Sequence, residues 1–165
     1  MRTSSRFTVG IGITILLAGL FPSIPAQAGS CWDYKRAERR MAKKINGARN
    51  GAGDRRLRLD RQLSRVARKH TDEMVRRRLL YHTPSHVLGR RVTRWNRLGE
   101  NIGAAGGVKR LHRQFMNSPT HRAITLTDSY RFMGIRTKRR GGKVWTTVVF
   151  ESRRDPGTRL SMPSC

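Results

Sequence analysis

The sequence predicts an α+β fold on three observations: two long segments with helical apolar periodicity, a short glycine-flanked apolar run carrying one carboxylate, and a late β-hairpin. In the first segment Tyr34, Ala37, Met41, Ile45 and Ala48 share one face, while Lys35, Arg36, Arg39, Arg40, Lys43 and Lys44 fill the rest. The carboxylate run is Leu98-Gly99-Glu100-Asn101-Ile102-Gly103, and the hairpin turns at Arg140-Gly141-Gly142.

The chain opens with an expected export signal. Arg2 and Arg6 precede an apolar stretch from Val9 to Leu20, and Ala26-Gln27-Ala28 forms a small-residue cleavage site. Residues 1–28 are therefore read as a signal peptide, and residues 29–165 as one domain with its core near 41–151 and a short C-terminal tail. The apolar stretch is shorter than a bilayer span, so no transmembrane segment is expected after cleavage. Cys31 and Cys165 stand at opposite ends of the mature chain, and export places them where a disulfide between them is expected.

The full chain carries 36 Lys and Arg against 10 Asp and Glu, a formal charge of +26. A surface of that sign attracts polyanions. No basic block alternates with aromatics, which argues against a nucleic-acid platform, and export directs the expectation to cell-wall polymers or lipid head groups.

Along the chain, the first helix closes near residues 46–50, before a turn-rich loop at 51–54. Asp60 is placed to cap a second helix, with Leu63, Val66, Ala67, His70 and Met74 on its apolar face and an end near Leu80. His70 on that stripe reads as a hydrogen-bonded core histidine. Tyr81-His82-Thr83-Pro84-Ser85-His86 leaves the helix, and Pro84 pushes Thr83 to extended geometry and weakens a His82/His86 metal pairing. Residues 87–95 form a short helix or a loop, with Trp95 as a lid or a core residue.

A central strand over 97–104 then presents Glu100 between apolar neighbours. An ionised carboxylate buried there needs partners, and His82 and His121 are the candidates. Gly106-Gly107 lacks the ending of a phosphate loop and reads as a turn before a helix bearing Val108, Leu111, His112 and Phe115. Ser118-Pro119 marks a further helix start, placing His121 and Arg122 in its first turn. Strands over 132–139 and 143–151 follow, the second with Val144, Thr146, Val148 and Phe150 on one face and Trp145, Thr147, Val149 and Glu151 on the other. After Ser152 an irregular polar tail is expected.

The sequence of Leu79-Leu80-Tyr81-His82, Leu98-Gly99-Glu100-Asn101-Ile102, Asn117-Ser118-Pro119-Thr120-His121-Arg122, Phe132-Met133-Gly134-Ile135 and the strand 144–150 resembles the CAP superfamily, or SCP domain, in its bacterial secreted form. The resemblance covers residues 41–151. It implies an α-β-α sandwich, with a small, mainly antiparallel sheet between helical layers and a cleft lined by histidines and glutamates. His82 matches the first histidine of that cleft, Glu100 its first glutamate, and His121 the contributor in the bacterial form. No histidine stands near Ser129-Tyr130-Arg131 to match the later one.

The expected cleft cluster is thus His82, Glu100 and His121, with Arg122 beside them. Two imidazoles and a carboxylate could complete three positions of a zinc site, with water as the fourth. The same groups could instead form a metal-free hydrogen-bonded cluster. No Gly-x-Ser-x-Gly elbow supports a covalent hydrolase, and Ser118 is accounted for by capping. The expectation is a secreted, monomeric binding protein of the cell envelope or extracellular space, taking an anionic or amphipathic ligand; the resemblance implies lipid as the ligand class. The rivals are a metal-assisted hydrolase of peptide or cell-wall substrates and an envelope adhesion protein with a vestigial cleft.

Overall fold

The computed structural model describes residues 32–153 and 155–163. The leader and the expected Cys31–Cys165 pairing lie outside these residues. The element order is α1 (Arg36–Gly51), β1 (Arg58–Leu59), α2 (Arg61–Arg77), α3 (Ser85–Arg91), β2 (Val92–Thr93), β3 (Leu98–Ala105), α4 (Val108–Asn117), α5 (Pro119–Thr125), β4 (Phe132–Arg140), β5 (Lys143–Glu151) and β6 (Gly157–Thr158). The fold is α+β, and the four-stranded sheet runs β1-β4-β5-β3, antiparallel except for the β1–β4 pair.

Each face of the sheet buries its own apolar cluster, because successive side chains of a strand point to opposite sides. On one face Met133, Ile135, Val144, Val148 and Phe150 pack with Met41 and Ile45 of α1 and Leu111 and Phe115 of α4. On the other, Val149 packs with Leu63, Val66 and Ala67 of α2 and Leu88 of α3. The α-β-α layering follows from these two clusters.

Local signals set the helix ends. Asp60 accepts a bond from the Leu63 N–H at 2.7 Å, as expected of its capping position. α2 stops at Arg77, short of the expected Leu80, because Arg78 turns left-handed at φ 55° and leaves Leu79 and Leu80 exposed. At the hairpin, Gly141 and Gly142 have φ of 56° and 67°, the sign that a two-residue type I′ turn requires at both positions.

Two expectations are corrected. The strand bearing Glu100 lies at the sheet edge and not at its centre, since β4 and β5 form the middle. The tail beyond Ser152 is not wholly irregular: β6 pairs antiparallel with β2 through Val92–Thr158 and Thr93–Gly157. The segment left open at 87–95 contains α3 and β2.

The tightest helix-to-sheet approach is at Gly134 of β4. A Cβ there would stand 2.1 Å from the Leu63 carbonyl carbon and 2.3 Å from the Ser64 nitrogen, both backbone atoms of α2. Gly134→Ala is therefore expected to destabilise the fold by about 3 kcal/mol. Gly106→Ala, where the added carbon meets nothing within 4 Å, is the control and should leave the denaturation midpoint nearly unchanged.

Candidate functional site

Glu100 is buried on β3, and both of its oxygens are engaged. The His82 Nδ1–H and the Thr83 N–H donate to Oε1 at 3.0 and 2.9 Å, and the Thr83 hydroxyl donates to Oε2 at 2.7 Å. Thr83 supplies two of the three bonds, one from its backbone N–H and one from its hydroxyl, at the position before Pro84 where extended backbone is favoured. Nothing in the sequence marks Thr83 beyond its backbone geometry before Pro84. Its position between His82 and Pro84 was the available signal.

The neighbouring residue, Asn101, points to the other face. Its Nδ2 donates to the His121 carbonyl and to the Thr125 hydroxyl, both at 3.0 Å, tying the edge strand to α5. α5 in turn brings the His121 ring to 6.4 Å from that of His82, centroid to centroid and close to parallel, while Phe115 closes on His121 from behind at 5.2 Å. Ser118 precedes α5 as expected, yet its hydroxyl makes no capping bond and lies 2.9 Å from His121 Nδ1.

The structure thus joins His82 directly to Glu100 and sets His121 against His82. Arg122 is outside the cluster: it is exposed on α5, and the bonds to Glu100 come from His82 and Thr83. His86 is exposed in the first turn of α3, whereas His70 is buried with Nε2 2.6 Å from the Tyr81 carbonyl, a core histidine.

These partners decide what the cluster can hold. A zinc site built from His82, Glu100 and His121 needs three ligand atoms converging at about 2.0–2.2 Å from one point. Here the Glu100 oxygens already accept three hydrogen bonds and His121 Nδ1 faces Ser118. Among the described residues no group of three or more His, Cys, Asp or Glu is placed to hold a metal ion. The expected three-ligand set does not fit this geometry. Glu100 instead orients His82, leaving the Nε2 edge of the imidazole outward.

A cavity of about 370 Å³ opens beside the pair. His82, Thr83 and Glu100 form its polar wall, and Leu88, Trp95, Leu98 and Ile124 supply apolar wall. Trp95 is 44% exposed and is fixed by its indole N–H donating to the Gly89 carbonyl at 2.9 Å, so it stands as a wall at the cavity mouth. Of these apolar residues the sequence marks only Trp95, as a lid or a core residue, because Leu and Ile in helices and strands read as core.

The electrostatics of the two histidines diverge. The hydrogen bond to Glu100 raises the His82 pKa above its ordinary value, against the opposing effect of burial. Burial, then the nearby His82 charge, pushes His121 below the usual imidazole range. For Glu100, burial alone would raise the pKa, but the bonds from His82 and Thr83 outweigh it and hold the carboxyl below its ordinary 4.5. The carboxylate's stabilising contribution is therefore present above pH 4.5 and lost as pH falls through the lower folded value. That of His82 is full below 6.5 and lost as pH rises through its raised folded value.

In an NMR titration of the imidazole resonances, His82 should have its midpoint above 6.5 and His121 below it. Glu100→Gln should bring the His82 midpoint down past that of a free histidine, since only burial then acts on it. An unchanged His82 midpoint in that variant would show that the pair is not formed.

The sequence pattern described as "CAP: Cysteine-rich secretory protein family" matches residues 42–150. No curated protein matches the chain. Among solved structures, an outer surface protein of Borrelia burgdorferi superimposes with TM-score 0.65 at 18% identity, covering 74% of this chain and 97% of that one. An SCP-domain extracellular protein of Bacillus anthracis gives TM-score 0.62 at 20% identity, over 71% of this chain and 40% of that one. The venom allergen-like protein 4 of Schistosoma mansoni gives 0.60 at 6% identity, over 78% and 96%. At these identities the likeness is one of fold.

Proposed function

Because the chain belongs to the cysteine-rich secretory protein (CAP) family, we propose that it acts outside the cytoplasm as a binding protein for an anionic, amphipathic, lipid-like ligand. The observation that carries this reading is the pairing of an apolar-walled cavity with a carboxylate-held imidazole on its wall. Leu88, Leu98, Ile124 and Trp95 receive the apolar part of the ligand, and the outward Nε2 edge of His82 receives its anionic group. The volume lies at the small end of ligand cavities, which favours one short acyl segment with the remainder of the ligand outside.

Location outside the cytoplasm is supported by the leader-like residues 1–28 and by structural neighbours described as an outer surface protein and an extracellular protein. No helix among the described residues is long and apolar enough to cross a membrane. The formal charge of +26 favours an anionic partner and the envelope as the place of action.

A hydrolytic reading has one observation in its favour: a carboxylate-oriented imidazole is also the arrangement of a general base. Native mass spectrometry on the secreted protein, purified without chelators, separates the two. The binding reading predicts a lipid-sized adduct that is lost in Ile124→Asp, which places a charge on the apolar wall. No lipid-sized adduct, together with turnover of a peptide or ester substrate that is lost in His82→Ala, would overturn it in favour of the hydrolase.

A further inference from the structure

α1 carries Arg36, Arg40, Lys43 and Gly47 at helical spacing on one stripe, a run of roughly 16 Å at the α-helical rise. Two depressions, of about 590 and 330 Å³, lie along it and share Arg40. The first is bounded by Lys43, Lys44, Gly47 and, from α4, Lys109 and His112. The second is bounded by Arg36 and by Arg139 of β4, with Gly107 and Val108 at the start of α4. Together they form a groove between α1 and α4 with six cationic side chains and no carboxylate.

That groove is set apart by where the ten acids go. Asp33 pairs with Arg39, Asp155 with Arg94, and Asp72 and Glu73 with Arg68, Lys69, Arg91 and Lys138. Glu38, Glu100 and Glu151 are buried, and Asp60 caps α2. Asp54 and Asp128 act on the buried Arg49. None lines the groove, and none of Arg36, Arg40, Lys43, Lys44, Lys109 and Arg139 has an ion-pair partner among the described residues. Burial first, and then the Lys44 charge, lowers the His112 pKa.

We propose that the α1–α4 groove is a binding site for a linear, phosphate-bearing polyanion. Six like charges held without counter-charges repel one another, and a chain of phosphates along the stripe relieves that repulsion while releasing its own counterions. The stripe suits a polymer better than a membrane plane, because the exposed large apolar side chains, Leu79, Leu80 and Trp95, are not among its lining residues. Its lining offers no Phe, Tyr or Trp on which bases could stack, so the recognition is of phosphate and not of nucleobase. The site shares no residue with the cleft; it rests on the anionic-partner part of the reading above, and its test reads different side chains.

The test is titration of the secreted full-length product with linear inorganic polyphosphate at several salt concentrations. Two variants probe the groove. Gly47→Glu introduces a carboxylate where an added Cβ meets nothing within 4 Å, and it improves helix propensity, so folding is preserved. Lys43→Glu reverses one charge. Each should weaken polyphosphate binding about tenfold and flatten its salt dependence, while Arg159→Glu, an exposed charge reversal at the opposite ribbon, should cost less than about threefold. Equal losses in all three would overturn the site in favour of net charge alone, and absence of wild-type binding would overturn the proposal outright. Groove variants that lose binding to anionic phospholipid vesicles but not to polyphosphate would assign the face to a membrane instead. The lipid adduct of the cleft is read separately, so failure here and failure of the cleft reading are distinguishable.

Discussion

The arrangement of the cleft depends on one buried carboxylate. An ionised Glu100 without partners would cost several kcal/mol, so the fold must bring donors to it, and it does so from a segment 17 and 18 residues upstream. Thr83 and His82 are thereby fixed against β3, which determines how the chain leaves α2 and where α3 begins. Asn101, the next residue on the strand, does the same for α5 on the opposite face. An edge strand with two adjacent polar side chains, one serving each helical layer, is what brings His82 of the α2–α3 connection and His121 of α5 to 6.4 Å.

A second buried charge supports this from a distance. Arg49 is fully buried at the end of α1; its Nη1 donates to the carbonyls of Thr125 and Thr127 at 2.8 Å, and its Nε to that of Arg55 at 2.7 Å. It satisfies carbonyls at the C-terminal end of α5, a role suited to a cation. The position of His121 therefore depends on α1 as well as on the strand it faces. Elsewhere the scarce acids are buried or paired outside the α1–α4 groove, which is left with a single sign.

Much of this was legible in the sequence where a local rule was strong. The Asp60 cap, the apolar stripe of α2, the glycine turn of the hairpin and the need of Glu100 for a histidine partner all follow from residue type and spacing. What was not legible depended on tertiary placement. Nothing local distinguishes an edge strand from a central one when both of its faces are buried, and the β2–β6 pairing joins two-residue segments too short to carry a period. Arg49 looks like any other arginine in a chain so rich in them. Ser118 has the residue type and place of a cap, but the nearby imidazole takes its hydroxyl. Arg122 was grouped with the cleft because it follows His121, whereas one helical step of about 100° turns it to solvent.

The proposed ligand site is the cavity beside His82, whose imidazole is held by Glu100. The most direct measurement is an NMR titration of the isotopically labelled secreted protein with a short-chain monoacyl phosphate kept below its micelle concentration. Saturable shifts should centre on His82, Trp95, Leu98 and Ile124, with those of Lys43 and Lys109 smaller. Shifts confined to the α1–α4 lysines, or none at any concentration, would contradict it.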